Sequence, residues 1–406
     1  MKVLRYGSKE LEKIYQRSLC RKPKITARVA RIIEDVRIAG DDALTRYTRK
    51  YDKVRLSPKQ IKVTQAEISG AYQNISPDFI SSLKVIIDNV TKFYKKQTKK
   101  SWKIKGSEGV VLGEQFTPLE SVGIYVPAGQ APLVSTVYMT VLPAKIAGVK
   151  RIVLITPPDK SGNVNPHILV VADLLKVDEI YKVGGAQAIA ALAFGTKTIR
   201  PVDKVVGPGN KYVTEAKRQA YGYVDIDMLA GPTELAIIAN RRSPANYVKA
   251  DLLAQGEHSG GLAILITNSK AQAKYFKNEV ESGYVVLVKN LQQSIEVANS
   301  IAPEHLEILI NNPFKILKKI RNAGAIFLGP FSPVAVGDYV AGPSHVLPTA
   351  GTAKFFSGLS LCDFIKSNHI IAYSRKALEN IRVPLEKIAG IEGLGKHLDS
   401  VKVRFE

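Results

Sequence analysis

Gln255 and His258 lie three residues apart in the segment AQGEHSG at 254–260. The residues before them have helical spacing, and side chains at positions i and i+3 share one helix face. An amide oxygen and an imidazole placed in this way could reach the same metal ion. A histidine near a helix C-terminus is also favoured by the helix dipole alone. The pair is therefore a candidate metal site whose other ligands must come from elsewhere in the chain.

Glu304 and His305 are adjacent in the segment IAPEHLEI at 301–308. A carboxylate and an imidazole at one place can divide general acid and general base work, because their ordinary pKa values differ. The alternative is an exposed Glu-His pair in a loop. The segment alone does not decide between the two.

A long stretch at 336–366 is rich in Gly, Pro, Ser and Thr, yet it contains Asp338, His345 and Asp363. Loops of this length inside a folded domain usually carry function. We therefore expect its polar groups to contribute to a site.

The segment IEGLGKHLDSV at 391–401 places Glu392 five residues before His397 near the C-terminus. Four of the 6 histidines of the chain lie in the segments described so far: His258, His305, His345 and His397. This joint pattern indicates a site far more strongly than any one segment does.

Short β-rich runs alternate with predicted helices over 133–240 and again up to about residue 301. This alternation is typical of βαβ units, so we predict an α/β fold with two doubly wound units after a largely helical first hundred residues. Ligands of such folds bind beyond the carboxyl ends of the strands. Gly207 and Gly209 in VGPGNKY lie at such a position, where backbone N–H groups could hold a phosphate or the glycines could simply form a turn.

The composition suits a globular protein of more than one domain, with 406 residues and an apolar fraction of 45%. Its 2 cysteines, Cys20 and Cys362, have neither zinc-finger spacing nor a disulfide framework, so a reducing cytoplasm is expected. The start of the chain lacks the apolar segment of a signal peptide. The uncharged stretch 121–144 contains prolines and polar residues, which favours a buried segment over a membrane helix.

The net charge of +22 raises the alternative of nucleic-acid binding. The positive charges are spread along the chain, and the sequence has no RRM, zinc-finger or helix-turn-helix signature. We therefore favour a basic enzyme and expect neither nucleic acid nor a membrane as its partner.

The segments taken together resemble histidinol dehydrogenases over the range from Tyr125 to His397. The motifs that carry the resemblance, in order, are YVPAGQA, VGGAQAIAALAFGT, VDKVVGPGNKYVTEAKR, DMLAGPTE, DLLAQGEHS, IAPEHLEI, VGDYVAGPSHVLPTAGTAKF, GLSLCDF and EGLGKH. Their order and spacing match as well. Two departures are Ala128, where the family commonly has glycine, and Val334, where an acidic residue is common.

The resemblance implies an enzyme that oxidises L-histidinol to L-histidine through L-histidinaldehyde with two NAD⁺, at the end of histidine biosynthesis. It also implies two Rossmann-like domains, small terminal segments, one zinc per subunit and an intertwined homodimer. The divisions expected on this basis are an N-terminal helical arm at 1–21, a discontinuous α/β domain with the zinc and catalytic residues at 22–124 and 234–368, an NAD-binding α/β domain at 125–233 and a C-terminal tail that reaches the partner subunit at 369–406.

The family's functional residues are carried over by position. The implied zinc ligands are Gln255, His258, Asp363 and His397, a set of donors that suits Zn²⁺. The implied acid–base pair is Glu304 and His305, and the implied NAD contacts are Tyr125, Gln187 and Asn210. The implied substrate contacts are Thr233, Gln255, His258, His305, Asp363, Glu392 and His397.

For the mechanism, we assign the alcohol proton to His305 and the activation of water to Glu304. Zinc is expected to hold the imidazole and amine of the substrate. Three alternatives stay open: a related zinc and NAD dehydrogenase for another amino alcohol, a metallohydrolase that needs no NAD, and a basic nucleic-acid-binding protein without turnover.

Overall fold

The computed structural model describes residues 1–17, 23–128, 131–258 and 260–406. Cys20, residues 18–21 of the predicted arm, residues 129 and 130 of YVPAGQA, and Ser259 of AQGEHSG lie outside the described residues. The strands are β1 (Lys2–Arg5), β2 (Trp102–Lys105), β3 (Val111–Pro118), β4 (Ser121–Tyr125), β5 (Arg151–Thr156), β6 (Glu179–Lys182), β7 (Lys204–Val206), β8 (Asp225–Ile226), β9 (Glu234–Ala239), β10 (Leu262–Thr267), β11 (Tyr284–Leu287), β12 (His305–Leu309), β13 (Ala325–Leu328) and β14 (Ile365–Ala372).

The α-helices are α1 (Lys9–Tyr15), α2 (Pro23–Tyr51), α3 (Pro58–Ile61), α4 (Gln65–Ala71), α5 (Pro77–Lys95), α6 (Val134–Ala147), α7 (Pro166–Leu174), α8 (Gly185–Phe194), α9 (Lys211–Ala220), α10 (Ala245–Gln255), α11 (Lys270–Glu279), α12 (Leu291–Ile301), α13 (Phe314–Leu317), α14 (Val334–Tyr339), α15 (Arg375–Asn380), α16 (Arg382–Ile391) and α17 (Gly395–Lys402). No helix among the described residues is long and apolar enough to cross a membrane. The uncharged stretch 121–144 forms β4 and most of α6.

The chain divides into two units, of which the first comprises Met1–Gln97 and Leu119–Phe364 and the second Thr98–Pro118 and Ile365–Glu406. Two parallel sheets lie in the first unit. The predicted α/β class with parallel sheets is therefore confirmed. The second unit contains the antiparallel sheet β14-β3-β2 and helices α15 to α17.

The five-stranded sheet has the order β6-β5-β4-β7-β8, and all its neighbouring strands are parallel. Alternate residues of β5 point to opposite faces, as a strand requires. Ile152 and Leu154 join an apolar cluster with α5, α6 and α7, whereas Val153 and Ile155 join another with α2, α8 and α9. Helices therefore cover both faces, which explains why RIVLIT is a continuous apolar run after its first residue.

The six-stranded sheet has the order β1-β11-β10-β9-β12-β13, again with parallel neighbours. Helices α1 and α12 pack on one face, and α10 and α11 pack on the other. The segment expected to be a helical arm thus contains an edge strand before its helix. Residues of α2 and α5, which we had grouped with this sheet, pack against the five-stranded sheet, because their buried apolar stripes face it.

Candidate functional site

A cavity of about 1020 Å³ opens beyond the carboxyl ends of the five-stranded sheet. Tyr125 ends β4, Gln187 lies in the first turn of α8, and Asn210 precedes α9. These three predicted cofactor residues line the cavity together with Thr233 and His258. The structure thus brings five predicted site residues to one cavity, at the edge of the sheet where ligands were expected.

The loop before α9 approaches the end of β4 closely. Gly207 has φ +113°, and a Cβ at this position would lie 2.2 Å from the carbonyl oxygen of Tyr125, so only glycine fits. The side chain of Asn210 accepts hydrogen bonds from two N–H groups of the first turn of α9. Near the start of α8, the N–H of Gly185 donates to the hydroxyl of Tyr125 at 3.1 Å. Two helix N-termini therefore lie at the cavity, where the positive ends of their dipoles favour an anion.

The cavity contains buried polar groups without partners. Gln187 is 1% exposed, and neither its Oε1 nor its Nε2 has a hydrogen-bond partner among the described residues. Oδ2 of Asp52, another lining residue, is buried in the same way, and burial raises the pKa of its carboxyl to about 6. Unpaired buried groups cost free energy, which a ligand with hydroxyl, amide and phosphate groups can recover. These residues therefore fit NAD.

Gln255 and His258 lie on the turn that ends α10. The amide of Gln255 is buried, whereas His258 is exposed at the cavity, and the N–H of His258 donates to the carbonyl of Gln255 at 3.3 Å. Nε2 of Gln255 has no hydrogen-bond partner among the described residues. Rotation of the amide exchanges Oε1 and Nε2, so this position can present an oxygen. An unsatisfied buried amide, three residues before an imidazole that lines the cavity, fits part of a zinc site.

Glu304 and His305 are buried where β12 begins, beside the start of β9. Oε2 of Glu304 accepts a hydrogen bond from the N–H of Glu234 at 2.9 Å. Nδ1 of His305 lies 3.1 Å from the carbonyl oxygen of Glu234, to which it can only donate, so Nε2 is left as the proton acceptor. Thr233, next to Glu234, lies close enough to Glu304 to lower the pKa of its carboxyl. The pair thus adjoins the cavity wall at the amino ends of β9 and β12.

The environment of the pair raises both pKa values. Burial raises the pKa of Glu304 to about 7, although the neighbouring His305 opposes this change. Burial disfavours the imidazolium of His305, but the carboxylates of Glu304 and Asp338 outweigh it and raise the pKa of His305. A carboxyl that titrates near neutrality is suited to general base work.

Asp338 is a functional candidate that our residue assignment missed. Its Oδ1 lies 3.5 Å from Nε2 of His305, and the next residue, Tyr339, lines the cavity. The signal was present in the sequence, because Asp338 opens the polar stretch 336–366. His345 from the same stretch is half-buried, with Nδ1 3.0 Å from the backbone oxygen of Asp338.

Asp363 is not brought to the cavity. Its Oδ2 accepts hydrogen bonds from the N–H and hydroxyl of Ser360, and its Oδ1 lies 3.5 Å from Nζ of Lys204. Lys204 opens β7 and pairs with Asp225 at the start of β8. Asp363 therefore lies at the amino ends of these strands, opposite the edge that carries the cavity, and the geometry does not support it as a metal ligand.

Glu392 and His397 belong to the second unit. Glu392 follows α16, His397 lies in α17, and both side chains are exposed. Within the described part of the chain, no group of three or more His, Cys, Asp or Glu side chains is arranged to hold a metal ion. A complete zinc site is therefore not formed by these residues alone.

Known proteins give a consistent comparison. A family model described as histidinol dehydrogenase matches residues 15–405. The histidinol dehydrogenase of Caldanaerobacter subterraneus subsp. tengcongensis is 48% identical over 97% of this chain and 95% of its own, and that of Clostridium acetobutylicum is 46% identical over 100% and 99%. The crystal structure of histidinol dehydrogenase from Elizabethkingia anophelis superposes with a TM-score of 0.93 at 38% identity, covering 100% of this chain and 98% of that one.

Proposed function

The chain belongs to the histidinol dehydrogenase family, and we propose how its own residues perform the family's reaction. It is an NAD-dependent oxidoreductase that oxidises histidinol in histidine biosynthesis. The observation that carries our assignment is the hydrogen bond from the N–H of Glu234 to the buried Glu304, because Thr233, the residue before Glu234, lines the cavity.

The larger organisation is part of the proposal. We propose that the two parallel sheets are the cores of two Rossmann-like domains, that the enzyme is an intertwined homodimer, and that it works in the cytoplasm. Helices on both faces of each sheet support the first point. The exposed Glu392 and His397 support the second, since polar groups assigned to substrate and metal would be covered by a second copy of the chain.

Tyr125, Gln187 and Asn210 hold the cofactor in this proposal. NAD, when bound, accepts the hydride in each of the two oxidations. Asn210 fixes the first turn of α9 by capping it, and Gln187 supplies the buried amide that lacks partners. The two helix N-termini offer N–H groups to the phosphates.

For the metal, we propose Gln255, His258 and Asp338 from one subunit and His397 from the tail of the other. Asp338 replaces the expected Asp363, because Asp363 is held by Ser360 and Lys204 at the opposite edge of the sheet. Zinc, when bound, would supply a Lewis acid that binds the imidazole and amine of the substrate and so orients it. Glu392 and Thr233 complete the substrate site.

The acid–base pair handles the protons. The raised pKa of His305 favours the imidazolium, so its Nε2 must first lose a proton. It then takes the hydroxyl proton of L-histidinol, as the carbinol hydride leaves to give L-histidinaldehyde. Its Nδ1 stays bonded to the carbonyl of Glu234, which keeps the correct ring nitrogen free. Glu304 then takes a proton from water as the oxygen adds to the aldehyde carbon. Loss of the second hydride and the remaining proton gives L-histidine.

One assay tests the assignment against its alternatives. NADH formation from L-histidinol should proceed to two NADH per L-histidine and should fall when a chelator removes the metal. A dehydrogenase for another amino alcohol would turn over that alcohol and leave L-histidinol untouched. A metallohydrolase would act without NAD, and a nucleic-acid-binding protein would give no turnover at all.

A further inference from the structure

Arg17 lies at the end of the N-terminal segment, and its guanidinium donates four hydrogen bonds to other described residues. Its Nε and Nη2 donate to Oε1 and Oε2 of Glu234 at 2.7 and 2.5 Å. Its Nη1 donates to the carbonyls of Ile14 at 3.0 Å and Ile301 at 2.7 Å. Only 16% of the Arg17 side chain and 6% of the Glu234 side chain are exposed. A two-pronged ion pair with this degree of burial is geometrically specific.

Glu234 connects this ion pair to the catalytic residues through its backbone. Its N–H donates to Glu304 at 2.9 Å, and its carbonyl accepts from His305 at 3.1 Å. Oε1 of Glu234 also accepts from the N–H of Ala350 at 3.0 Å, in the long polar stretch. Any shift of Glu234 would therefore move both hydrogen bonds that orient the pair.

The contact with Ile301 fixes the same region from a second side. Ile301 ends α12, three residues before Glu304, and the intervening Ala302 has φ +48°. Arg17 thus holds both the strand beside the pair and the turn that leads into it. The site residues implied by the family resemblance include neither Arg17 nor Glu234.

We propose that Arg17 is a positioning residue, which holds Glu304 and His305 in their reactive geometry through Glu234. The proposal rests on the proposed roles of that pair. Arg17 touches neither partner directly, so its effect on the reaction must pass through Glu234 and the α12–β12 turn.

The charges around Glu304 give this proposal a signature that folding alone would not produce. Burial raises the pKa of Glu304, and the carboxylate of Glu234 raises it further, whereas Arg17 neutralises that carboxylate. The other charged groups in this region interact with His305, which itself lies beside Glu304. They are Asp338 of α14, and Glu307 of β12 with its neighbour Asp251 of α10. Removal of the Arg17 charge should therefore raise the pKa of Glu304, and removal of the Glu234 charge should lower it.

The experiment measures kcat and KM for L-histidinaldehyde oxidation by the zinc-loaded enzyme, per folded site, from about pH 6 to about pH 10. Arg17→Lys keeps the positive charge but loses the two-pronged hydrogen bonding to Glu234, so kcat should fall roughly tenfold or more. The pH limb, which is the rise of the rate with pH as Glu304 ionises, should not move. Arg17→Met should move the limb upward, and Glu234→Gln should move it downward, each by on the order of one pH unit. The double variant Arg17→Met/Glu234→Gln buries no unpaired charge, so it stays testable if a single variant fails to fold.

Arg151→Met is the matched control, because Arg151 is also 16% exposed and pairs with Glu179 at 2.6 Å on the other sheet. It should lower stability and leave the pH limb in place. Wild-type kcat per folded site and a wild-type limb in all the Arg17 and Glu234 variants would overturn the proposal. Glu304→Gln separates the two levels: if it oxidises the aldehyde normally, the role of Glu304 fails, whereas a stalled Glu304→Gln beside normal Arg17 variants refutes only the positioning role.

Discussion

Nε2 of His305 lies 3.5 Å from Oδ1 of Asp338, so the proposed base faces a carboxylate from the long polar stretch. Asp338 also precedes Tyr339 at the cavity that His258 lines. Asp363, twenty-five residues later, accepts a hydrogen bond from Ser360 and lies near the ammonium group of Lys204 instead. Two carboxylates of one stretch thus have separate environments, and only one of them adjoins the candidate site.

The first prediction concerns these two carboxylates. Asp338→Asn should lose zinc on dialysis, because an amide is a weaker ligand than a carboxylate, with an affinity loss of roughly 100-fold or more. Asp363→Asn should retain one zinc per subunit. Metal analysis of the dialysed proteins decides, with His258→Ala as the variant expected to lose zinc in any case. Zinc loss in Asp363→Asn with full retention in Asp338→Asn would favour the assignment made from the sequence.

The second prediction concerns the pH dependence of the aldehyde step. The general base Glu304 must be ionised, and its pKa is raised to about 7, so the rate should rise with pH through about 7 and level off above it. Glu304→Gln should lose this limb and slow the second oxidation by roughly 100-fold, while the first oxidation is affected less. Separate assays that start from L-histidinol and from L-histidinaldehyde make the comparison. Equal slowing of both steps would argue against water activation by Glu304.

The fold class could be predicted because it depends on local periodicity. RIVLIT and LAILIT read as buried strands, and the structure has them as β5 and β10. The residues Ser76, Pro77 and Asp78 are typical of a helix start, and the hydroxyl of Ser76 does cap α5. The edge strand β1 could not be predicted in the same way, because KVLR is short and charged and pairs with β11 across most of the chain.

The candidate site was predictable where a site residue lies close in sequence to the strand that positions it. Tyr125 ends a strand, and Gln187 and Asn210 each follow a strand of the same sheet, so parallel topology brings them together. The choice between Asp338 and Asp363 depends on which way a long irregular stretch runs, and no periodicity encodes that. The same holds for Arg17, whose partner Glu234 is 217 positions away.

The third prediction uses Gln187, whose buried amide has no partner among the described residues. Gln187→Met should stabilise the NAD-free protein by about 1 kcal/mol, because it removes an unsatisfied polar group. It should also raise KM for NAD roughly tenfold, the equivalent of about 1.4 kcal/mol. Thermal unfolding without NAD and steady-state kinetics measure the two effects.

Gln272→Met provides the control for this substitution. Gln272 is also buried, but its Oε1 accepts from Thr267 at 2.9 Å and its Nε2 donates to Asn240 at 2.7 Å. The same change should therefore destabilise the protein by about 1–3 kcal/mol and leave KM for NAD unchanged. A fall in stability for both variants would mean that the amide of Gln187 is satisfied in the NAD-free protein.

The fourth prediction concerns His397, which lies in the second unit at an exposed position. If the tail of one subunit completes the zinc site of the other, two variants that each form little L-histidine should complement each other, with L-histidine formation as the measured activity. Glu304→Gln and His397→Ala are each purified, unfolded, mixed and refolded together. A mixed dimer with exchanged tails has one site with both lesions and one with neither, so each mixed dimer should regain about half the wild-type activity. Sites built within one chain would place one lesion in each site and leave every dimer inactive.

Mass spectrometry must confirm the mixed dimers, and each variant refolded alone is the control. Mixed dimers without activity would mean that His397 serves its own subunit or no site at all.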